Sequence, residues 1–203
     1  MAKKSASSEK AKPEPASRIL AAAETLFFRF GIRKTTIGDI CQAAGISRMT
    51  FYHYFRDKSH VAEAVVNRLI DDMTATFLRI MGQDVPYSQK ISEFIEIKLN
   101  KADGMSKAFV QELFQSPYPR LHELFSRRKQ ENMQVALDEF RRAQRQGHIR
   151  PGVKPEFLLA FLDILADLTV DERLTRLYPS PKELGSELLN LFFFGIIQEE
   201  GSP

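Results

Sequence analysis

A chain of 203 residues with 43% hydrophobic and 27% charged content lies in the range of folded globular proteins, which excludes extensive disorder. Its one cysteine, Cys41, allows no intramolecular disulfide and no multi-cysteine zinc site. The net charge of +3 is uneven: residues 1–60 hold 11 Lys+Arg and 5 Asp+Glu, for +6, whereas residues 61–203 hold 18 and 21, for −3. A basic head on a mildly acidic body suits an anionic polymer met by the head alone, although +6 is also common on solvated surfaces.

The first sixteen residues are Lys, Ser, Ala, Glu and Pro with little to bury, and are expected to form a disordered basic arm. No apolar run follows their lysines, so they do not read as a secretory signal, and the expected compartment is the cytoplasm. From Ser17 onward Ile19, Leu20, Ala23, Leu26, Phe27 and Phe30 recur at helical spacing until Gly31. Thr36-Ile37-Gly38-Asp39 fits a capping box for a second helix with an Ile37, Ile40, Ala44 stripe. Gly45 stops that helix, and Ser47 is placed to cap a third that carries Arg48 to Tyr54.

Asp57 can cap a long fourth helix over 58–81, in which Val61, Ala64, Val65, Leu69, Met73, Phe77 and Ile80 keep one face. Further helices are predicted around SQKISEFIEIKLNKAD, SKAFVQELF, 120–145 and 157–168, with a last one from Ser180-Pro181 to about Gln198. No segment alternates as a strand does, so the fold class is all-α with about nine helices. The apolar run LLNLFFFGII at 188–197 is half the ~20 residues of a membrane span, so no membrane partner is expected.

The third helix is the informative one. At about 100° per residue, with Phe51 taken as pointing to the core, Tyr54 and Phe55 lie near it, Met49 and His53 point away, and Thr50 and Tyr52 flank. Such an outward strip suits a nucleic-acid groove: hydroxyls and an imidazole bond phosphate oxygens, and methyl groups pack on thymine. Arg48 is placed to reach either a guanine edge or a phosphate. The competing reading is an ordinary three-helix cap with a chance aromatic cluster.

These residues also resemble a family. Phe30-Gly31, Thr35-Thr36, Ile40, Ala44-Gly45, Ser47, Phe51-Tyr52, Tyr54-Phe55 and Lys58 are similar to the DNA-binding head of the TetR (tetracycline-repressor-like) family of bacterial regulators, over about residues 17–65. The resemblance implies that Thr36, Tyr52, His53 and Lys58 contact phosphates while Arg48, Met49 and Thr50 approach bases. Met49 stands where a glycine or other small residue is common in that family. The implied division is a basic arm at 1–16, a helix-turn-helix domain at 17–60, and a ligand-binding and dimerisation domain at 61–203.

In the body, Phe77, Phe94, Phe109, Phe114, Phe125 and His122 are candidates to line a cavity for a small apolar or amphipathic effector, although packing is the commoner role for each phenylalanine. The last helix is apolar on two sides, with Leu188 and Leu191 on one and Phe192, Phe193 and Ile196 on the other. Together with Phe161 and Leu165 they are expected to close a two-fold, four-helix dimer interface; burial within one subunit is the alternative. The histidines make no metal-ligand spacing and no catalytic motif is present, so no metal, cofactor or enzymatic activity is expected. The sequence thus reads as a homodimeric repressor released from a palindromic operator by a small ligand, or alternatively as a DNA-bound adaptor of the same fold without an inducer.

Overall fold

The computed structural model describes residues 14–114, 118–169 and 171–194. Among them are ten α-helices and no strand. Most of the expected arm falls outside these residues, as do Ile196 and the end of the last helix.

The first helix, α1 (Pro15–Phe30), starts two residues before Ser17 because Pro15 suits the first helical turn. Ile19, Ala23 and Phe27, four apart, form its fully buried stripe. α2 (Ile37–Ala44), α3 (Arg48–Tyr54) and α4 (Lys58–Met81) follow with the caps expected of Thr36, Ser47 and Asp57. α5 (Tyr87–Asp103) folds back along α4, and α6 (Lys107–Phe114) returns the chain to the head, where Phe109 meets Phe28 with ring centroids 5.1 Å apart.

α7 (Pro119–Arg145) runs parallel to α4: Asp71 pairs with Arg128, Thr74 meets Asn132 at 2.8 Å, and Arg142 donates to the Met81 carbonyl at 3.1 Å. α8 (Pro155–Leu168), a short α9 (Glu172–Thr175) and α10 (Pro181–Phe194) complete the body. The short α9 lacks the apolar repeat that made the other helices visible in the sequence, which accounts for ten helices rather than about nine.

Two apolar clusters hold the fold. One joins α1–α3 to the first half of α4 and to Phe109, Leu113, Leu121 and Leu124 of α6 and α7, so packing is continuous across residue 60. The other gathers Ile80, Tyr87, Ile91, Ile95, Phe140, Leu158, Leu165, Phe192 and Phe193. Each fully buried Phe or Ile contributes about 1.5–3 kcal/mol.

Candidate nucleic-acid interface

The turn between α2 and α3 is built from local chemistry. The Thr36 hydroxyl oxygen accepts the Asp39 N–H at 3.1 Å, while the Asp39 carboxylate accepts the Thr36 hydroxyl at 2.7 Å and the Thr36 N–H at 2.8 Å, and these two bonds, the hydroxyl first, hold the Asp39 carboxyl below its usual range. Gly45 closes α2 at φ 62, a left-handed conformation. Arg18 of α1 donates to the carbonyls of Ala44 and Gly45, and a Cβ on Gly45 would come within 2.9 Å of that guanidinium. The left-handed backbone is what calls for glycine there, since the guanidinium is the far end of a flexible side chain and can shift. Cys41 is buried just before the turn, and burial pushes its thiol up, away from reactivity.

α3 starts with the Ser47 side chain accepting the Thr50 N–H at 3.0 Å. Phe51 is fully buried and Phe55 nearly so, which fixes the helix against α1 and α2. The opposite face is open. Met49 is 82% exposed, His53, Arg48 and Tyr52 are exposed, and Thr50 is intermediate. Tyr54, expected near the core, is 38% exposed and meets the His53 ring edge-on at 5.0 Å. Thr36 stands exposed at the start of α2.

Lys58 lies at the edge of this surface with its ammonium turned inward. It donates to the carbonyls of Ile32 at 2.8 Å, Arg33 at 3.2 Å and Thr35 at 2.8 Å, and desolvation holds it below the usual lysine range. Asp57 caps α4 through the His60 N–H at 2.8 Å. Two positioning residues had no local signal in the sequence. Arg18 grips the α2–α3 turn from 26 residues away, and Glu112 of α6 accepts the N–H groups of Ile32 and Arg33 from about 80 away.

In the body, Phe77 and Phe94 meet edge-to-face at 5.0 Å and both remain partly accessible. Phe109 is fully buried on the head side, Phe125 packs against the same cluster, His122 is exposed, and the Phe114 side chain lies outside the description. The expected dimer set divides. Leu165, Phe192 and Phe193 are buried within the chain and Leu188 is half-buried, whereas Leu191 is 67% exposed and Phe161 remains accessible. Phe157 and Ile164, not singled out in the sequence, are also exposed. Among the described residues no cluster of His, Cys, Asp or Glu has metal-holding geometry, and no helix is long and apolar enough to cross a membrane.

Comparison with known proteins accords with this geometry. Residues 19–65 match the family model for bacterial regulatory proteins of the tetR family. The HTH-type transcriptional repressor KstR2 of Mycolicibacterium smegmatis is 23% identical over 201 residues, 93% of this chain and 95% of that protein. Among solved structures, a transcriptional regulator from Saccharomonospora viridis in complex with choline superposes with a TM-score of 0.73 at 18% identity, covering 91% of this chain and 98% of the other. FadR of Bacillus subtilis in complex with stearoyl-CoA gives 0.68 at 15%, covering 89% and 98%. The chain is thus similar to tetR-family regulatory proteins over residues 19–65, and over most of its length it has the fold of these solved regulators.

Proposed function

We propose that this chain is a homodimeric transcriptional repressor of the TetR family that binds a two-fold operator through α3 and is released when a small apolar or amphipathic ligand enters the body. Residues 17–60 read DNA, residues 61–203 bind the ligand and dimerise, and the protein works in the bacterial cytoplasm by binding alone, not as an enzyme. The observation that carries this reading is the division of α3, with Met49 almost fully exposed and Phe51 fully buried two residues away.

Thr36, Tyr52 and His53 are proposed on phosphates, and Arg48, Met49 and Thr50 at base edges. Lys58 enters as a positioning residue, since its donors are held by the loop that leads into α2. The exposed apolar face of Phe157, Phe161, Ile164 and Leu191 is the proposed subunit contact. A dimer through α8 and α10 would set two α3 helices in successive major grooves, roughly 34–36 Å apart. A ligand that prefers another spacing then lowers DNA affinity by its differential binding energy. Selection of bound fragments from genomic DNA tests the reading: a palindromic consensus with half-sites one helical turn apart supports it, and retention of DNA with no sequence preference overturns it.

A further inference from the structure

We infer that the middle of the body is a ligand cavity bounded by α4, α5 and α7, that Lys98 is its unpaired cation, and that it takes an amphipathic anion, an apolar chain ending in a carboxylate. This deepens the proposed ligand response by assigning the ligand a chemistry.

Burial stops at one level of the body. On α4 no side chain is buried over residues 71–79, although Ile70 and Ile80 are. Across α5 and the start of α6 none is buried over 96–108, and on α7 none over 125–138. These stretches share one level. α4 and α5 are antiparallel with Phe77 on Phe94, so Lys98, four residues further along α5, stands opposite Met73 and Thr74. Thr74 meets Asn132 at 2.8 Å, which brings Asn132 and Met133 to the same level. The two apolar clusters therefore lie above and below a layer where three neighbouring helices are loosely packed.

Lys98 points into that layer. Tyr87, Ile91 and Ile95 are buried at four-residue spacing and define the inward direction of α5. At about 100° per residue Lys98 lies within about 20° of its centre, as does Ala102, and both are exposed. An exposed residue on the inward stripe of a packed helix marks an opening. Water reaches the side chain, yet surrounding helices desolvate its ammonium and hold it below the usual lysine range, with no carboxylate acting on it. Among the described residues it makes no hydrogen bond or ion pair, unlike Lys90, Lys129 and Lys182 of the same body. A carboxylate would supply the missing counter-charge, while Met73, Phe77, Phe94 and Met133 offer accessible apolar and sulfur surface to a hydrocarbon chain.

The test measures binding of straight-chain carboxylates from octanoate to palmitate, each with its matched primary alcohol, to the full chain by calorimetry and thermal shift without DNA. At least one carboxylate is expected to bind tenfold or more tightly than its alcohol. Lys98→Met should erase that preference while leaving the free protein as stable or more so, since it removes a desolvated charge, and Lys98→Arg should keep the preference. Equal binding of acid and alcohol, no binding of any carboxylate, or an undiminished preference in Lys98→Met overturns the assignment. Carboxylate binding that leaves operator affinity unchanged would sink the repressor reading and leave this one standing.

Discussion

The carboxylate of Glu112 accepts the backbone N–H of Arg33 at 3.2 Å, although the two residues are 79 apart in the chain. The same carboxylate accepts the N–H of fully buried Ile32, and on the other side Lys58 holds the carbonyls of Ile32, Arg33 and Thr35. The α1–α2 loop is thus gripped through its N–H groups by the body and through its carbonyls by the start of α4. Glu112→Ala should strand the Ile32 N–H and destabilise the fold by about 1–3 kcal/mol. Denaturant titration gives that value, and amide exchange at Ile32 and Arg33 should quicken more than at Phe51. Unchanged exchange at both amides would show that the carboxylate does not hold the loop.

Lys58 and Arg48 should separate in their response to salt. Arg48 is exposed on the reading surface, and where its guanidinium also neutralises a phosphate next to the base it reads, Arg48→Ala lowers the slope of log K against log salt by about one per subunit. Lys58→Met should weaken DNA binding by loosening the loop and leave the slope as it was. A flatter slope for Lys58→Met would put its ammonium on the DNA backbone.

Met49 and His53 test the assignment of α3 faces. Both point away from Phe51, so truncation should leave the thermal midpoint nearly unchanged. Met49→Ala should relax preference at one base pair per half-site, on the order of the 1–3 kcal/mol of a mismatch, while His53→Ala weakens all sites alike. Binding-site selection reads both; the reverse pattern would mean that the two side chains exchange roles.

Leu191 and Phe192 are adjacent and should behave oppositely. Leu191→Glu places a charge on the exposed apolar face and is expected to give a folded monomer by light scattering. Phe192 is buried against Phe161 and Phe193, so Phe192→Ala should cost about 3–5 kcal/mol of subunit stability. A folded Leu191→Glu dimer would move the interface elsewhere.

Acid should loosen the head through its caps. The His60 N–H, with Arg56 adding a smaller effect, holds the Asp57 carboxyl below its usual 3.8 in the folded chain. The stability this contributes is present above the unfolded value and is lost as pH falls through the lower folded one. Asp57→Asn should therefore flatten the pH dependence of head unfolding below about pH 4 and change it little near neutrality. A wild-type acid limb in that variant would assign the acid sensitivity to other carboxylates.

The parts of the fold readable in the sequence are those set by neighbouring residues. The Thr36–Asp39 box, the Gly45 stop, the Ser47 cap and the bounds of α4 all rest on groups within a few positions, and the structure has them where the spacing put them. The opposed faces of α3 followed from angular arithmetic for the same reason. What was not readable depends on partners far along the chain. Lys58 looked like a surface cation because nothing local announces three carbonyl acceptors more than 20 residues away. The two apolar stripes of α10 were visible, but which of them packs inward depends on where α5 and α8 lie, so Phe192 and Leu191 could not be told apart.

The anchoring of the Met81 carbonyl has a mechanical consequence. Arg142 and Lys90 both donate to it at 3.1 Å, fixing the far end of a 24-residue helix about 36 Å long. Thr74, at the cavity level, is about 10 Å from that fixed point, and Lys58 about 35 Å. If α4 swings as a stiff rod about Met81, a sideways displacement of ~1 Å at Thr74 arrives at Lys58 as ~3 Å, and Lys58 is bonded to the loop that positions α2. A methylene-sized change in cavity filling is thereby scaled, by arm length alone, to a shift comparable to a hydrogen-bond length at the reading head.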